Sequence, residues 1–158
     1  MLLAVGRHLG SLAGSDLARR CAEGKLTAKE KADSRRKRKR ELTATSSSRW
    51  AGAITRTSED AFQLGLRNLA AERRSLLPRI RRIGRRLSVP AGARKGKLRG
   101  YPTRHEHYEK RRRLQHLEAR LEEVERRLEE GRVSICRGGA HFAKIRHHLD
   151  EAGIDEAT

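Results

Sequence analysis

The sequence predicts a mainly α protein. Short N-terminal helices lead into a long antiparallel coiled-coil helical hairpin with a basic tip loop. A short β-hairpin and a small C-terminal helix follow, and the whole reads as an incomplete domain. Three observations predict this. Apolar residues recur at heptad spacing in two separate runs. Helix-capping signals stand at the ends of those runs. Of 158 residues, 35% are hydrophobic, 37% charged and 3% aromatic, which is thin material for a self-sufficient core.

Residues 1–45 read as a basic helical segment. Gly10 and Gly14 punctuate one or two short helices, and Gly24 stops them after DLARRCAE. Thr27 and Glu30 have capping-box spacing and open a helix that runs into RRKRKR at 35–40. Residues 46–131 read as the hairpin, with a helix over about 46–87, a basic loop over 88–103 and a second helix over 104–130. Phe62, Leu66, Leu69, Leu76, Ile80, Ile83 and Leu87 form the first seam, and Arg73 holds the one skipped position. Leu114, Leu117, Leu121, Val124 and Leu128 form the second. Each helix is expected to span about 40 Å at 1.5 Å per residue. Matched lengths favour an antiparallel pair. Pro78 is expected to kink the first helix. Thr103 with Glu106 starts the second helix and Gly131 ends it, with Glu122–Arg126 and Glu123–Arg127 as favourable i,i+4 pairs. The loop SVPAGARKGKLRGYPT is glycine-rich and charged, which predicts an exposed, mobile tip. Over 132–158, RVSICRGGAHF alternates around Gly138-Gly139 as a β-hairpin with Val133 and Ile135 on one face. A short helix near 144–152 follows, and the partner strands of the hairpin are missing.

A net charge of +18 with pI about 11.3 directs the chain toward polyanions, nucleic acid first among them. The plainer account is a basic piece balanced by acidic neighbours in a longer parent. Cys21 and Cys136 form no C-x-x-C, and no stretch approaches membrane-spanning length, so a cytoplasmic protein without a membrane partner is expected. No phosphate-binding glycine loop, nucleophile–base pair or metal cluster is legible, and the HEH at 105–107 sets its histidines on different helix faces. The chain is therefore expected to be no enzyme and to take no cofactor, metal or small-molecule substrate.

The candidate contacts are cations. Arg35, Arg36, Lys37, Arg38, Lys39 and Arg40 form one cluster. Arg79, Arg82 and Arg86 recur at i, i+3 and i+7 as a ridge beside the first seam, and Lys95, Lys97 and Arg99 stand in the tip loop. Such clusters grip backbone phosphates and give affinity without sequence readout. Tyr101 either stacks on one exposed base or closes the loop onto the helix start. Treated as helix, Trp50, Ala53, Ile54, Thr57, Ala61 and Leu64 form an apolar stripe roughly 110° from the Phe62–Leu87 seam. Trp50 is therefore assigned as a structural anchor, because a lone tryptophan usually buries its ring. That leaves Arg49 and Arg56 as contact residues on another face.

The segments GRHLGSLAGSDLARRCAEGKL, SSSRWAGAITRTSED and RVSICRGG, in this order, resemble the TnpB-related (OrfB-type) proteins of bacterial insertion sequences. The resemblance runs from about residue 4 to about 154, and the segment around Trp50 is its most specific part. It implies a transposase-related, RNA-guided nuclease family that pairs a basic recognition half with a RuvC-like catalytic domain and a zinc ribbon. This sequence has no counterpart to the catalytic carboxylates or the zinc ligands. The resemblance thus implies a truncated, N-terminal recognition portion. It would bind a guide RNA, target DNA or their hybrid, with the remaining domains of such a protein as further partners. A reading from a different class competes with it: a helical-hairpin protein–protein interaction module without a nucleic-acid role.

Overall fold

The computed structural model describes residues 2–135, so the β-hairpin around Gly138-Gly139 and the helix near 144–152 lie outside the described residues. Among the described residues there are four helices and one two-stranded hairpin. They are α1 (Leu2–Ala22), α2 (Ala28–Thr45), α3 (Ser48–Leu87), the strands β1 (Arg94–Lys95) and β2 (Leu98–Arg99), and α4 (Arg104–Glu130). α3 packs against α1, α2 and α4 and is the spine of the molecule.

The N-terminal segment departs from expectation in one respect. α1 is a single 21-residue helix running through Gly10 and Gly14, where an added Cβ would meet nothing within 4 Å. Gly24, at φ 62°, turns the chain after it. Thr27 and Glu30 form the complete capping box at the start of α2, with each side chain bonded to the other's backbone N–H.

α3 is 40 residues long, about 60 Å at 1.5 Å per residue, against 27 residues for α4. The two are not matched. α4 covers only the C-terminal part of α3, and α1 with α2 cover the rest. The α3–α4 pair is antiparallel. Leu69, Leu76 and Val124 are buried together, with Ile80, Leu117, Leu121, Leu128 and Val133 packed around them. Glu72 meets Arg120, Arg73 meets Glu125, and His107 reaches the Leu87 carbonyl.

α3 also carries one seam where two were expected. Its buried residues are Ala51, Ile54, Thr55, Ser58, Glu59, Phe62, Leu69 and Leu76. Thr55, Phe62, Leu69 and Leu76 are seven residues apart, so the Phe62 seam extends back to the helix start in the same phase. A count of large apolar residues misses this, because small and polar side chains fill the stripe where α1 and α2 come close. Trp50 lies off it. The tryptophan is 51% exposed, so its ring is not buried as expected.

Three local expectations meet the structure, and two of them need correction. α3 runs as one helix through Pro78, on the exposed side where the freed carbonyl of Arg74 can meet solvent, and the expected kink is neither shown nor contradicted by that continuity. Arg126 pairs with Glu123 at 2.6 Å and Glu130 at 3.0 Å rather than with Glu122. The tip loop is an ordered hairpin, with Arg94 opposite Arg99 and Lys95 opposite Leu98. Val89 and Tyr101, 1% and 3% exposed, root it to the helix ends. The Gly92 N–H donates to the Tyr101 carbonyl at 2.8 Å and the Gly100 N–H to that of Ala93 at 3.1 Å.

Gly131 closes α4 in the left-handed conformation, φ 68°. A Cβ there would lie 2.5 Å from the Lys25 backbone nitrogen, so the α1–α2 turn rests directly on the end of α4. The two halves of the molecule join at that contact.

Candidate nucleic-acid interface

The N-terminal lobe is held by buried ion pairs. Arg38 of α2 donates to Asp16 of α1 at 2.7 Å, with both side chains at most 2% exposed. Arg20 of α1 lies over the Phe62 ring at 3.7 Å and donates to Glu59 of α3 at 2.6 Å. Lys31 and Gln63 reach the same carboxylate at 2.8 Å each. Burial alone would push the Glu59 carboxyl up, but hydrogen bonds from Arg20, Lys31 and Gln63 outweigh it and hold the pKa at about 2. This network fixes α1 and α2 on α3, and it uses Arg38 up. The predicted contact at Arg38 is therefore a structural residue: its guanidinium faces inward, four residues before Leu42, the single large apolar side chain of α2. That spacing is the signal that could have revealed it, together with Lys31 and Ser34 at seven and four residues upstream on the same face.

The rest of the first cluster does face solvent. Arg35, Arg36, Lys37, Lys39 and Arg40 are exposed, and only Arg36 has a carboxylate partner, Asp33 at 3.3 Å. Arg49 and Arg56 are exposed on α3 next to them. Lys39 reaches α3 at Gly52, between the two arginines, where an added Cβ would lie 3.7 Å from its Cε. Together these exposed cations make this end of the molecule strongly basic.

The second patch is at the far end of the hairpin. Between residues 79 and 113 there are fourteen lysines and arginines against two carboxylates, Glu106 and Glu109. Among the described residues the one ion pair there is Arg112–Glu109, at 3.8 Å. The stem is the reverse. Over residues 65–77 and 114–130 six cations face seven carboxylates, and Arg120–Glu72, Arg73–Glu125 and Arg126–Glu123 close at 2.6–2.7 Å.

The distal cations line two hollows. Arg79, Arg82 and Arg86 meet Lys110 and Arg113 of α4 around a cleft of about 290 Å³ that also contains Tyr101 and Glu106. Arg86 is half-buried and lies over the Tyr101 ring at 4.0 Å, with its guanidinium donating to the carbonyls of Arg99 and Gly100 at 3.3 Å. Lys110 sits 5.8 Å from the same ring. Tyr101 therefore closes the loop and holds two cations in place; its buried ring is not open to a base. A second hollow, about 440 Å³, is bounded by Pro78, Leu98, Arg81, Arg82, Arg85 and Arg86. Lys95, Lys97 and Arg99 are exposed on the hairpin beside it.

Compared with known proteins, the chain matches no family model, no curated protein and no solved structure. Its own charges therefore carry the functional reading. The predicted list took in Arg79, Arg82 and Arg86 but missed Lys110 and Arg113, which only the antiparallel packing of α4 brings to the same cleft. Among the described residues no three His, Cys, Asp or Glu side chains stand together as a metal site, and no helix is long and apolar enough to cross a membrane.

Proposed function

We propose that the chain binds nucleic acid, RNA or an RNA–DNA duplex, by its phosphates and without reading sequence. On this reading it serves as the recognition part of a TnpB-like, transposon-related protein and cleaves nothing itself. The observation that carries the proposal is the segregation of charge. Three of the six stem cations, Arg73, Arg120 and Arg126, are neutralised by carboxylates a few ångströms away, whereas all but Arg36 and Arg112 in the two patches are left for an outside partner. Unpaired arginines beside a neutral stem are what a polyanion needs, since phosphate binding draws its free energy from released counterions. The fixed Arg86 and Lys110 suit phosphate over base contact, because Tyr101 is occupied beneath them. Arg79, Arg82, Lys95, Lys97 and Arg99 supply further contacts at the same end. Arg35, Arg36, Lys37, Lys39, Arg40, Arg49 and Arg56 supply those of the other patch.

Charge removal tests this directly. Arg79→Gln, Arg82→Gln and Lys110→Gln together are expected to weaken binding of a 20-nucleotide RNA at least tenfold at about 100 mM salt, by fluorescence anisotropy. A stem control, Arg120→Gln with Arg126→Gln, removes paired charges and is expected to change affinity less than threefold. Equal losses from the two sets would reduce the binding to bulk charge and refute the reading. Metal-dependent cleavage of the RNA or a DNA by the purified chain would refute its non-catalytic part.

A further inference from the structure

The back of α3 carries an arginine track that neither cluster contains in full. Arg49, Arg56, Arg67, Arg74, Arg81 and Arg85 are all exposed. At 100° per residue they fall within about 40° of one another, roughly opposite the buried face of Ala51, Phe62, Leu69 and Leu76. Thirty-six residues separate the first from the last, about 54 Å along the axis. None of the six has a carboxylate within 4.0 Å among the described residues, although Arg73, one position from Arg74, is tied to Glu125.

Two apolar features accompany the track. Trp50, 51% exposed, follows Arg49 in sequence at one end and lies about 110° around the helix from the track. At the other, Arg81 and Arg85 enter the hollow floored by Pro78 and Leu98. Leu64, also 51% exposed, lies alongside the middle.

The geometry points to a single-stranded nucleic acid running lengthwise along α3, its phosphates on the six arginines and its unpaired bases against Trp50 and the Pro78–Leu98 hollow. The inference rests on the nucleic-acid reading above and deepens it by naming the strand form. A straight line of cations on a convex helix suits one phosphodiester chain. Each backbone of a duplex winds away from such a line within half a turn and meets it only at intervals. An exposed indole offers stacking to unpaired bases, and a paired base keeps its faces inside the duplex.

The test compares the wild type with a quadruple variant, Arg67→Gln, Arg74→Gln, Arg81→Gln and Arg85→Gln. Glutamine keeps helix propensity on the solvent side, and circular dichroism verifies the fold. The probes are a 20-nucleotide oligo-dT and the same strand paired with oligo-dA. The variant is expected to lose at least tenfold in affinity for the single strand at about 100 mM salt. Its log–log salt slope is expected to flatten by about 2.8, from four contacts at about 0.7 each. Affinity for the duplex is expected to fall at least threefold less than affinity for the single strand. Trp50 fluorescence, from the only tryptophan in the chain, should be quenched by the single strand and far less by the duplex. Unchanged single-strand binding in the variant, with loss retained on Arg79/Arg82/Lys110 substitution, overturns the track and leaves the phosphate reading standing. Equal losses on both probes overturn the single-strand assignment. No binding of either probe by the wild type overturns both.

Discussion

Adjacent cations in RRKRKR have opposite roles because a helix turns 100° per residue. Arg38 is buried on Asp16 while Lys37 and Lys39 project into solvent. Arg38→Ala strands a buried carboxylate and is expected to cost about 3–5 kcal/mol of stability. Lys37→Ala should stay within about 0.5 kcal/mol. Urea unfolding distinguishes them, and equal effects would mean that the buried pair is absent. Glu59 makes the same network sensitive to acid. A carboxyl whose pKa falls from 4.5 to about 2 on folding adds stability that is complete above pH 4.5 and is lost as the pH falls toward 2. Glu59→Gln is therefore expected to lower the urea midpoint at pH 6 and to matter progressively less between pH 4.5 and 2.5. A constant gap between the two proteins across that range would contradict the assignment. The rule that a lone tryptophan is usually buried fails at Trp50, whose ring is 51% exposed on a face of α3 away from the buried seam.

At the scale of elements, periodicity made α4 legible almost to the residue, because its start and stop are written in Thr103 and Gly131 as well as in its leucines. The first half of α3 was harder. Ala51, Thr55 and Ser58 fill its seam, and only the approach of α1 and α2 makes small side chains the right ones. The tip hairpin was hidden for another reason: its order comes from Val89 and Tyr101 at its roots, not from the glycines and lysines between them. Two substitutions probe these elements. Pro78→Ala restores a backbone bond at an exposed helix position, and is expected to raise stability by about 1–3 kcal/mol in thermal or urea unfolding. Gly131→Ala is expected to lower it by more than about 1 kcal/mol. The new methyl would meet the Lys25 backbone, and alanine resists a φ of 68°. A neutral outcome at Gly131 would mean that the α1–α2 turn does not rest on α4.

The whole molecule is a 60-Å spine clamped at one end by buried ion pairs and at the other by apolar packing with α4. Net charge was legible from composition alone. What composition could not reveal is which cations are satisfied inside the fold. Arg38, Arg73, Arg120 and Arg126 are; the distal end of the hairpin and the back of α3 are not. Those unpaired sites give the account its central claim: the chain is a phosphate-binding surface whose strength lies in contacts released from intramolecular pairing. The salt dependence of binding measures that most directly. A titration of a 20-nucleotide single strand between 50 and 200 mM salt is predicted to give a linear log–log plot with a slope of about −3.5 or steeper, corresponding to five or more phosphates. A flat plot, or no binding at about 50 mM salt, would contradict it.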